Sequence, residues 1–585
     1  MSAPDILSRT IAFSGQTEIR GGFFRTLSQH RALSAVALLL LCLVAYLPGV
    51  LQLPPVDRSE VEFAHTSHEM LLEGRWLDPR YGDEVEPRRP IGTYWAQALS
   101  AWISGIDARW MPIYRLPSLL AVTLATLALF FLATPLVGSA PALLAAAFFA
   151  VSPLTVLVAT LAIADGLALM CATVALLCLL RLYAGGETQP TLGIGLLFWA
   201  SLGLATLVNA LQVPVLAGVI IATLVAVDRD ASWLKRIHAF AGIPLALFIG
   251  APWLVVRVLQ DGGVPYGDLD LFETIDALMG SQDMELRAFP GTFVVAPLLG
   301  FLPGLAVLAD AAHRLWKRRT AKIPRFLLCW AITWIVFLEL TSGKPATYSV
   351  QFVFPALALA VAGLILHSGA TPRTLRWSLI PPLAVAIPLF LVLVLAPFAV
   401  AQEWPSLLVV MLAIIVAGLA ALGGRASTLL NWSLLAVATF ALYSATLLGF
   451  ALPSISKAWP AQEIEHAVAA CVEKPIWLVG FREPSGAFIL GTDKHYPDPP
   501  KLISEPDRLH VIESRWIERF RAEAAKRKLE PVELSCFEAF NVMRGCPLTF
   551  TIFALDEPAP ACRQAYRNTC ARMTHQTRHN SKSCE

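Results

Sequence analysis

The chain has 585 residues, of which 56% are hydrophobic and only 15% charged, with a formal net charge of +2. A soluble protein of this size carries about 25% charged residues, so the deficit and a mean hydropathy of +0.61 exclude a large soluble fold and point to membrane spans. The small net charge, spread in short basic clusters, also excludes a nucleic-acid partner and suits loops that set membrane orientation.

The first 30 residues are polar and carry Arg9, Arg20 and Arg25. They precede an apolar run too long for the core of a cleavable signal, which predicts a cytoplasmic tail over 1–31 followed by a signal anchor. A membrane-crossing helix needs about 20 mostly apolar residues. By that measure spans are expected at 32–53, 114–135, 138–158, 166–183, 192–207, 211–228, 238–257, 292–313, 324–341, 348–367, 377–400, 405–423 and 429–451, about thirteen in all. Tyr94–Gly105 is only a dozen residues long and carries Trp95 and Trp102, which predicts an interfacial helix rather than a span. With the N-terminus inside, that reading puts the basic loops 229–237, 314–323, 368–376 and 424–428 on the cytoplasmic side, as the positive-inside rule requires. The loop 54–93, Asp165, Asn209, the loop 258–291, the turn Gly343–Tyr348 and the C-terminal region then share the outer side.

Residues 456–570 change character. Short apolar runs such as Ile476–Val479 and Leu548–Phe553 predict strands, and Ser514–Leu529 has helical spacing with Trp516, Ile517, Phe520 and Ala524 on one face. The fold class expected is an α-helical polytopic membrane protein, transmembrane over 32–453, with a small C-terminal periplasmic α/β domain over 456–570 and a disordered polar tail over 571–585. Of ten cysteines, Cys42, Cys171, Cys178 and Cys329 lie in apolar spans, and six follow the last span without C-x-x-C spacing. Zinc is unsupported by that spacing, and disulfides are expected if the tail meets an oxidising compartment.

The densest chemistry lies in the loop 54–93, which gathers Asp57, Arg58, Glu60, Glu62, His65, His68, Glu69, Arg88 and Arg89 between apolar segments. Asp57, Glu60 and Glu62 offer a general base. Arg58, Arg88 and Arg89 offer planar forks for phosphate oxygens. The competing reading is a solvated juxtamembrane loop with Arg88 and Arg89 at lipid headgroups. His65 and His68, at i, i+3 spacing, read as polar-face residues rather than metal ligands.

The run Asp57-Arg58-Ser59-Glu60-Val61-Glu62-Phe63-Ala64, with Glu69-Met70-Leu71, Gly74, Pro79-Arg80 and Arg88-Arg89-Pro90-Ile91-Gly92-Thr93-Tyr94-Trp95, resembles the first outer loop of a bacterial family. That family is the aminoarabinose-transferase-like and protein-mannosyltransferase-like membrane glycosyltransferases of the GT-C fold. The resemblance continues through Tyr114-Arg115-Leu116-Pro117-Ser118, Asp165, Gly343-Lys344-Pro345-Ala346-Thr347-Tyr348, Gly480-Phe481-Arg482-Glu483-Pro484-Ser485 and Leu490-Gly491-Thr492. It implies an inverting sugar transfer on the periplasmic face of the bacterial inner membrane, from a polyprenyl-phosphate sugar donor to a lipid, polysaccharide or protein acceptor. It implies an acid of the first loop as base (Asp57 or Glu60), donor-phosphate contacts from Arg58, Arg88, Arg89, Lys344 and Tyr348, and support from Asp165 and Glu62. No defined cofactor is implied; a divalent metal is compatible with the chemistry, without assigned ligands. The chain departs from the family pattern at Ser59, which takes the second acidic position of D-R-D-E, at Asn209, where a lysine is usual, and at Leu286, where a histidine is common. Those departures keep open a diverged polyprenyl-phosphate-binding envelope protein, and the many spans keep open a lipid or solute transporter.

Overall fold

The computed structural model describes residues 22–56, 58–81, 84–85, 90–105, 109–185, 191–209, 211–261, 290–341, 348–367, 406–468, 476–481, 483–490, 503, 508–541 and 546–555. The expected span 377–400, the polar tail 571–585 and the site positions Asp57, Arg88, Arg89, Lys344 and Leu286 lie outside the described residues.

A short helix α1 (Gly22–Gln29) leads into the first long apolar helix α2 (Arg31–Gln52). The loop that follows is itself structured. It forms helix α3 (Arg58–Glu73), a two-residue hairpin of β1 (Arg80–Tyr81) and β2 (Glu84–Val85), and helix α4 (Gly92–Ser104). The thirteen residues of α4 reach roughly 20 Å, short of the hydrocarbon core of about 30 Å. One face buries Tyr94, Gln97, Ala98 and Ala101 while Trp102 and Ile103 are exposed, as an interfacial helix requires. Phe63 of α3 lies against Tyr94 of α4 with ring centroids 5.1 Å apart.

The bundle continues through α5 (Met111–Val137), α6 (Ser139–Ala150), α7 (Pro153–Thr160), α8 (Ala164–Ala184), α9 (Leu192–Asn209), α10 (Gln212–Asp228) and α11 (Ala239–Asp261). Then come α12 (Thr292–Gly300), α13 (Leu302–Lys317), α14 (Lys322–Thr341), a 3-10 turn (Tyr348–Val353), α15 (Phe354–His367), α16 (Leu407–Gly423) and α17 (Leu429–Thr446). Among the described residues seven helices are long and apolar enough to cross a membrane, or up to nine if each of two bent pairs is one span, and three shorter apolar helices accompany them. Each expected span within the described residues falls on one of these.

Two expected continuous spans are broken. α6 and α7 meet at 64° and α12 and α13 at 116°. Both breaks precede a proline in the first turn of the next helix, Pro153 and Pro303, which has no N–H to continue the ladder and disfavours the helical conformation in the residue before it. The second pair packs along α14 with both of its helices. Its start is tied to the far end of α14, because Glu339 accepts from the backbone N–H groups of Gly291, Phe293 and Val294. Its end at Lys317 is joined to the start of α14 by four residues.

After the last span come α18 (Pro460–Val468), β3 (Ile476–Val479), α19 (Pro484–Leu490), β4 (Leu509–Glu513), α20 (Ile517–Lys526), β5 (Val532–Asn541) and β6 (Cys546–Ala554). The four strands form one sheet in the order β3-β4-β6-β5, with β3 and β4 parallel and the other pairs antiparallel. Strand alternation gives the sheet two apolar faces. Val511, Phe550 and Ile552 pack with Ile464 of α18 and Phe481 on one side, and Ile512 and Phe553 pack with Phe520 and Ala524 of α20 on the other. Cys536 is disulfide-bonded and Cys42, Cys171, Cys178 and Cys329 are free, in line with the two groups expected.

One glycine fixes how close the loop helices sit to the bundle. A Cβ on Gly92 would stand 2.6 Å from the backbone oxygen of Leu207 on α9, so α4 and α9 meet at a distance only glycine permits. Gly92→Ala should therefore force the two helices apart at a cost of about 1–3 kcal/mol. A lowered thermal unfolding midpoint of the purified protein checks this; an unchanged midpoint contradicts it.

Candidate active site

The loop helix α3 is fixed to the bundle by one buried pair. Glu60 and Arg115 are both 0% exposed, and the guanidinium meets the carboxylate in a fork, Nε donating to Oε1 at 2.7 Å and Nη2 to Oε2 at 3.0 Å. Arg115 spends its remaining donors on the carbonyls of Val50, Leu53 and Pro54, where α2 ends. Glu60 also accepts from the backbone N–H of Val56 at 3.2 Å and of Ala162 at 2.9 Å. A carboxylate has about four lone-pair sites, and this one fills them all. The expectation that Glu60 could remove a proton from an acceptor meets this geometry: each carboxylate oxygen already accepts from two protein donors.

Ala162 belongs to a non-helical stretch, 161–163, between α7 and α8. Its N–H goes to Glu60, its carbonyl accepts from Gln97 Nε2 at 2.9 Å, and the Ile163 carbonyl accepts from Ser118 Oγ at 3.2 Å. Gln97 in turn accepts from Ser67 of α3 at 2.7 Å. Side chains from α3, α4 and α5 thus satisfy the open backbone, the condition for unwound chain at membrane depth. This stretch aims α8, whose first turn holds Asp165, 4% exposed. A Cβ on Gly166 would stand 2.9 Å from the Val158 oxygen, so Asp165 is held with its neighbour packed against α7.

Other loop residues have separate partners. Ser59 is buried at 4% exposure and Glu62 is half-buried on α3. His68 Nδ1 pairs with the Tyr114 hydroxyl at 2.8 Å, and His65 Nε2 lies 3.3 Å from Glu69. Among the described residues no group of three or more His, Cys, Asp or Glu side chains could hold a metal ion. Asn209 donates to Gln212 at 2.6 Å. The 3-10 turn that opens at Tyr348 packs against α7, α8 and α12. Arg58 stands in the first turn of α3, next to Ser59; its side chain and that of Tyr348 lie outside what is described.

The C-terminal part reaches this region through α19. Phe488, fully buried, sets its ring against Tyr114 at 5.7 Å and His65 at 6.5 Å in edge contacts. The stretch Glu483-Pro484-Ser485 opens that helix with proline in its first position, where the missing N–H costs nothing. Sequence reasoning missed the roles of Arg115, Gln97, Ser118 and Phe488. Arg115 carried a signal, as the one charged residue of a 27-residue apolar helix.

The buried pair yields a stability prediction. Glu60→Ala leaves a buried unpaired guanidinium, which should cost about 3–5 kcal/mol, and joint replacement by Glu60→Leu and Arg115→Met should recover part of that loss. Thermal unfolding of the three proteins checks both; a Glu60→Ala midpoint equal to wild type contradicts the account.

Residues 88–256 match the dolichyl-phosphate-mannose-protein mannosyltransferase family. Curated relatives include the undecaprenyl phosphate-alpha-4-amino-4-deoxy-L-arabinose arabinosyl transferases of Erwinia tasmaniensis and Pectobacterium atrosepticum. The first is 26% identical over 59% of this chain and 62% of its own length, the second 28% over 54% and 55%; the chain thus spans somewhat over half of the relatives it matches. Among solved structures, the crystal structure of ArnT from Cupriavidus metallidurans bound to undecaprenyl phosphate superposes with a TM-score of 0.67 at 17% identity. That match covers 89% of this chain and 97% of that one, and the apo form gives 0.66. The chain is a multi-pass membrane protein with the GT-C fold, and its likeness to the aminoarabinose-transferase-like glycosyltransferases holds in sequence and in architecture.

Proposed function

We propose that a protein with this fold and these relatives is a glycosyltransferase that moves a sugar from a polyprenyl-phosphate donor to an acceptor hydroxyl or amine on the periplasmic face of the bacterial inner membrane. The N-terminus is then cytoplasmic, the spans occupy 32–453, and the α/β region 456–570 sits above the outer leaflet. The observation that carries the reading is the lock of the first loop. Glu60, Arg115, Gln97 and Ser118 fix α3, the end of α2 and the start of α8 to one another. Asp57 immediately precedes α3 in the sequence, and in this reading it works beside that lock together with Asp165.

In this reading Asp57, not Glu60, is the general base, since the Glu60 oxygens are already committed. Asp57 takes the acceptor proton as the acceptor atom bonds to the anomeric carbon. The bond from that carbon to the phosphate oxygen breaks, its electron pair leaves with the polyprenyl phosphate, and single displacement inverts the centre. Arg89 and Lys344, with Arg58, Arg88 and Tyr348, hold the departing phosphate, where positive charge stabilises the transition state most. Ser59, without a carboxylate, does not serve as base. Asp165 and Glu62 orient the loop.

The test is transfer of radiolabelled sugar from its polyprenyl phosphate by the purified full chain in liposomes, across a panel of donors and with lipid A, polysaccharide and protein acceptors. Asp57→Asn should slow turnover by about 10²–10⁴-fold and Arg89→Ala should raise the donor KM. No turnover with any donor, or an undiminished rate in Asp57→Asn, overturns the assignment.

A further inference from the structure

At the far end of the bundle from the Glu60–Arg115 pair lies a cleft that the transfer reaction does not use. It opens where α5 ends at Val137 and α6 begins near Pro141, and its empty space, open solvent at the mouth included, is about 600 Å³. Arg115 and Val137 are 22 residues apart on one helix, which puts roughly 33 Å between the cleft and the lock. The walls are apolar, from Leu315 of α13, Leu327 of α14, and Leu359 and Leu364 of α15, while Arg314 and Arg318 stand on its lining.

Three further observations define what such a cleft takes. The rim carries the marks of a membrane interface: Trp316 beside it is 55% exposed and Arg319 lies over its ring at 5.0 Å, an amphipathic aromatic of the kind enriched at headgroup level. The rim is strongly basic, since Arg314, Lys317, Arg318, Arg319 and Lys322 fall within nine residues. Asp228, a carboxylate of the same end of the bundle, is paired with Arg325 and accepts from Tyr183. The floor is also open, because a Cβ on Gly363 would meet nothing within 4 Å.

We infer that this cleft is a binding site for an anionic glycerophospholipid of the leaflet opposite the active site, one acyl chain lying between α13, α14 and α15 and the phosphodiester held by Arg314 and Arg318. Guanidinium groups one helical turn apart suit a phosphate that presents several oxygens, and basic pockets between membrane helices take anionic headgroups. The apolar walls make the ligand a lipid, with the chain and the charge recognised together.

The experiment is native mass spectrometry of the full-length protein in neutral detergent, titrated with phosphatidylglycerol, phosphatidylethanolamine, polyprenyl phosphate and inorganic phosphate. The expected result is retention of phosphatidylglycerol at least tenfold better than phosphatidylethanolamine, undisturbed by inorganic phosphate. Joint Arg314→Gln and Arg318→Gln should erase the preference between the two lipids. Gly363→Leu should lower phosphatidylglycerol occupancy with every charge in place, and it carries the test if the double variant fails to fold, as judged by its lipid-free unfolding midpoint. Equal retention of the two phospholipids, unchanged binding in Gly363→Leu, or displacement of phosphatidylglycerol by polyprenyl phosphate or inorganic phosphate overturns the assignment.

Discussion

One buried ion pair sets the geometry of one end of the helix bundle. Glu60 and Arg115 lie 55 residues apart in sequence and touch the end of α2, the entry to α3, the first turns of α5 and the stretch before α8. A buried pair of this kind is weak evidence for stability, because desolvation offsets much of the attraction. Its value here is positional. Backbone groups of three segments, the end of α2, the entry to α3 and the stretch before α8, are tied to two side chains whose every donor and acceptor is used.

That lock makes an irregular site tolerable inside a membrane. Backbone that leaves the helix at membrane depth survives only where protein groups or water satisfy it. The stretch 161–163 meets the requirement through Glu60, Gln97 and Ser118. Helix α19 of the C-terminal part adds a second restraint, with Phe488 seated on Tyr114 and His65. The loop that carries the reactive acid in the proposed mechanism is thus clamped by the bundle on one side and by α19 on the other.

Much of the architecture was legible because hydropathy and length act locally. The spans, the short helix Gly92–Ser104 and the strands around Ile476–Val479 and Leu548–Phe553 follow from runs of side chains that a reader can see. The breaks before Pro153 and Pro303 were not foreseen, although the prolines were visible, since apolar character continues through both. The site was harder. Glu60 reads as a candidate base in the sequence because nothing local reveals that its partner is Arg115, and Arg115 reads as the polar edge of a span. Contacts between distant residues, such as Phe488 with Tyr114, leave no periodic trace at all. Asp57, Arg88, Arg89 and Lys344 rest on the family resemblance and on their place in the chain.

The central claim is that Asp57 and the cations Arg89 and Lys344 share one aqueous pocket beside the locked loop. An electron cryomicroscopy structure of the full chain with polyprenyl phosphate bound tests it most directly. The account predicts the lipid phosphate in contact with Arg89 and Lys344, with the Asp57 carboxylate lining the same cavity. Density for the phosphate elsewhere, or these three residues on separate faces of the protein, would contradict it.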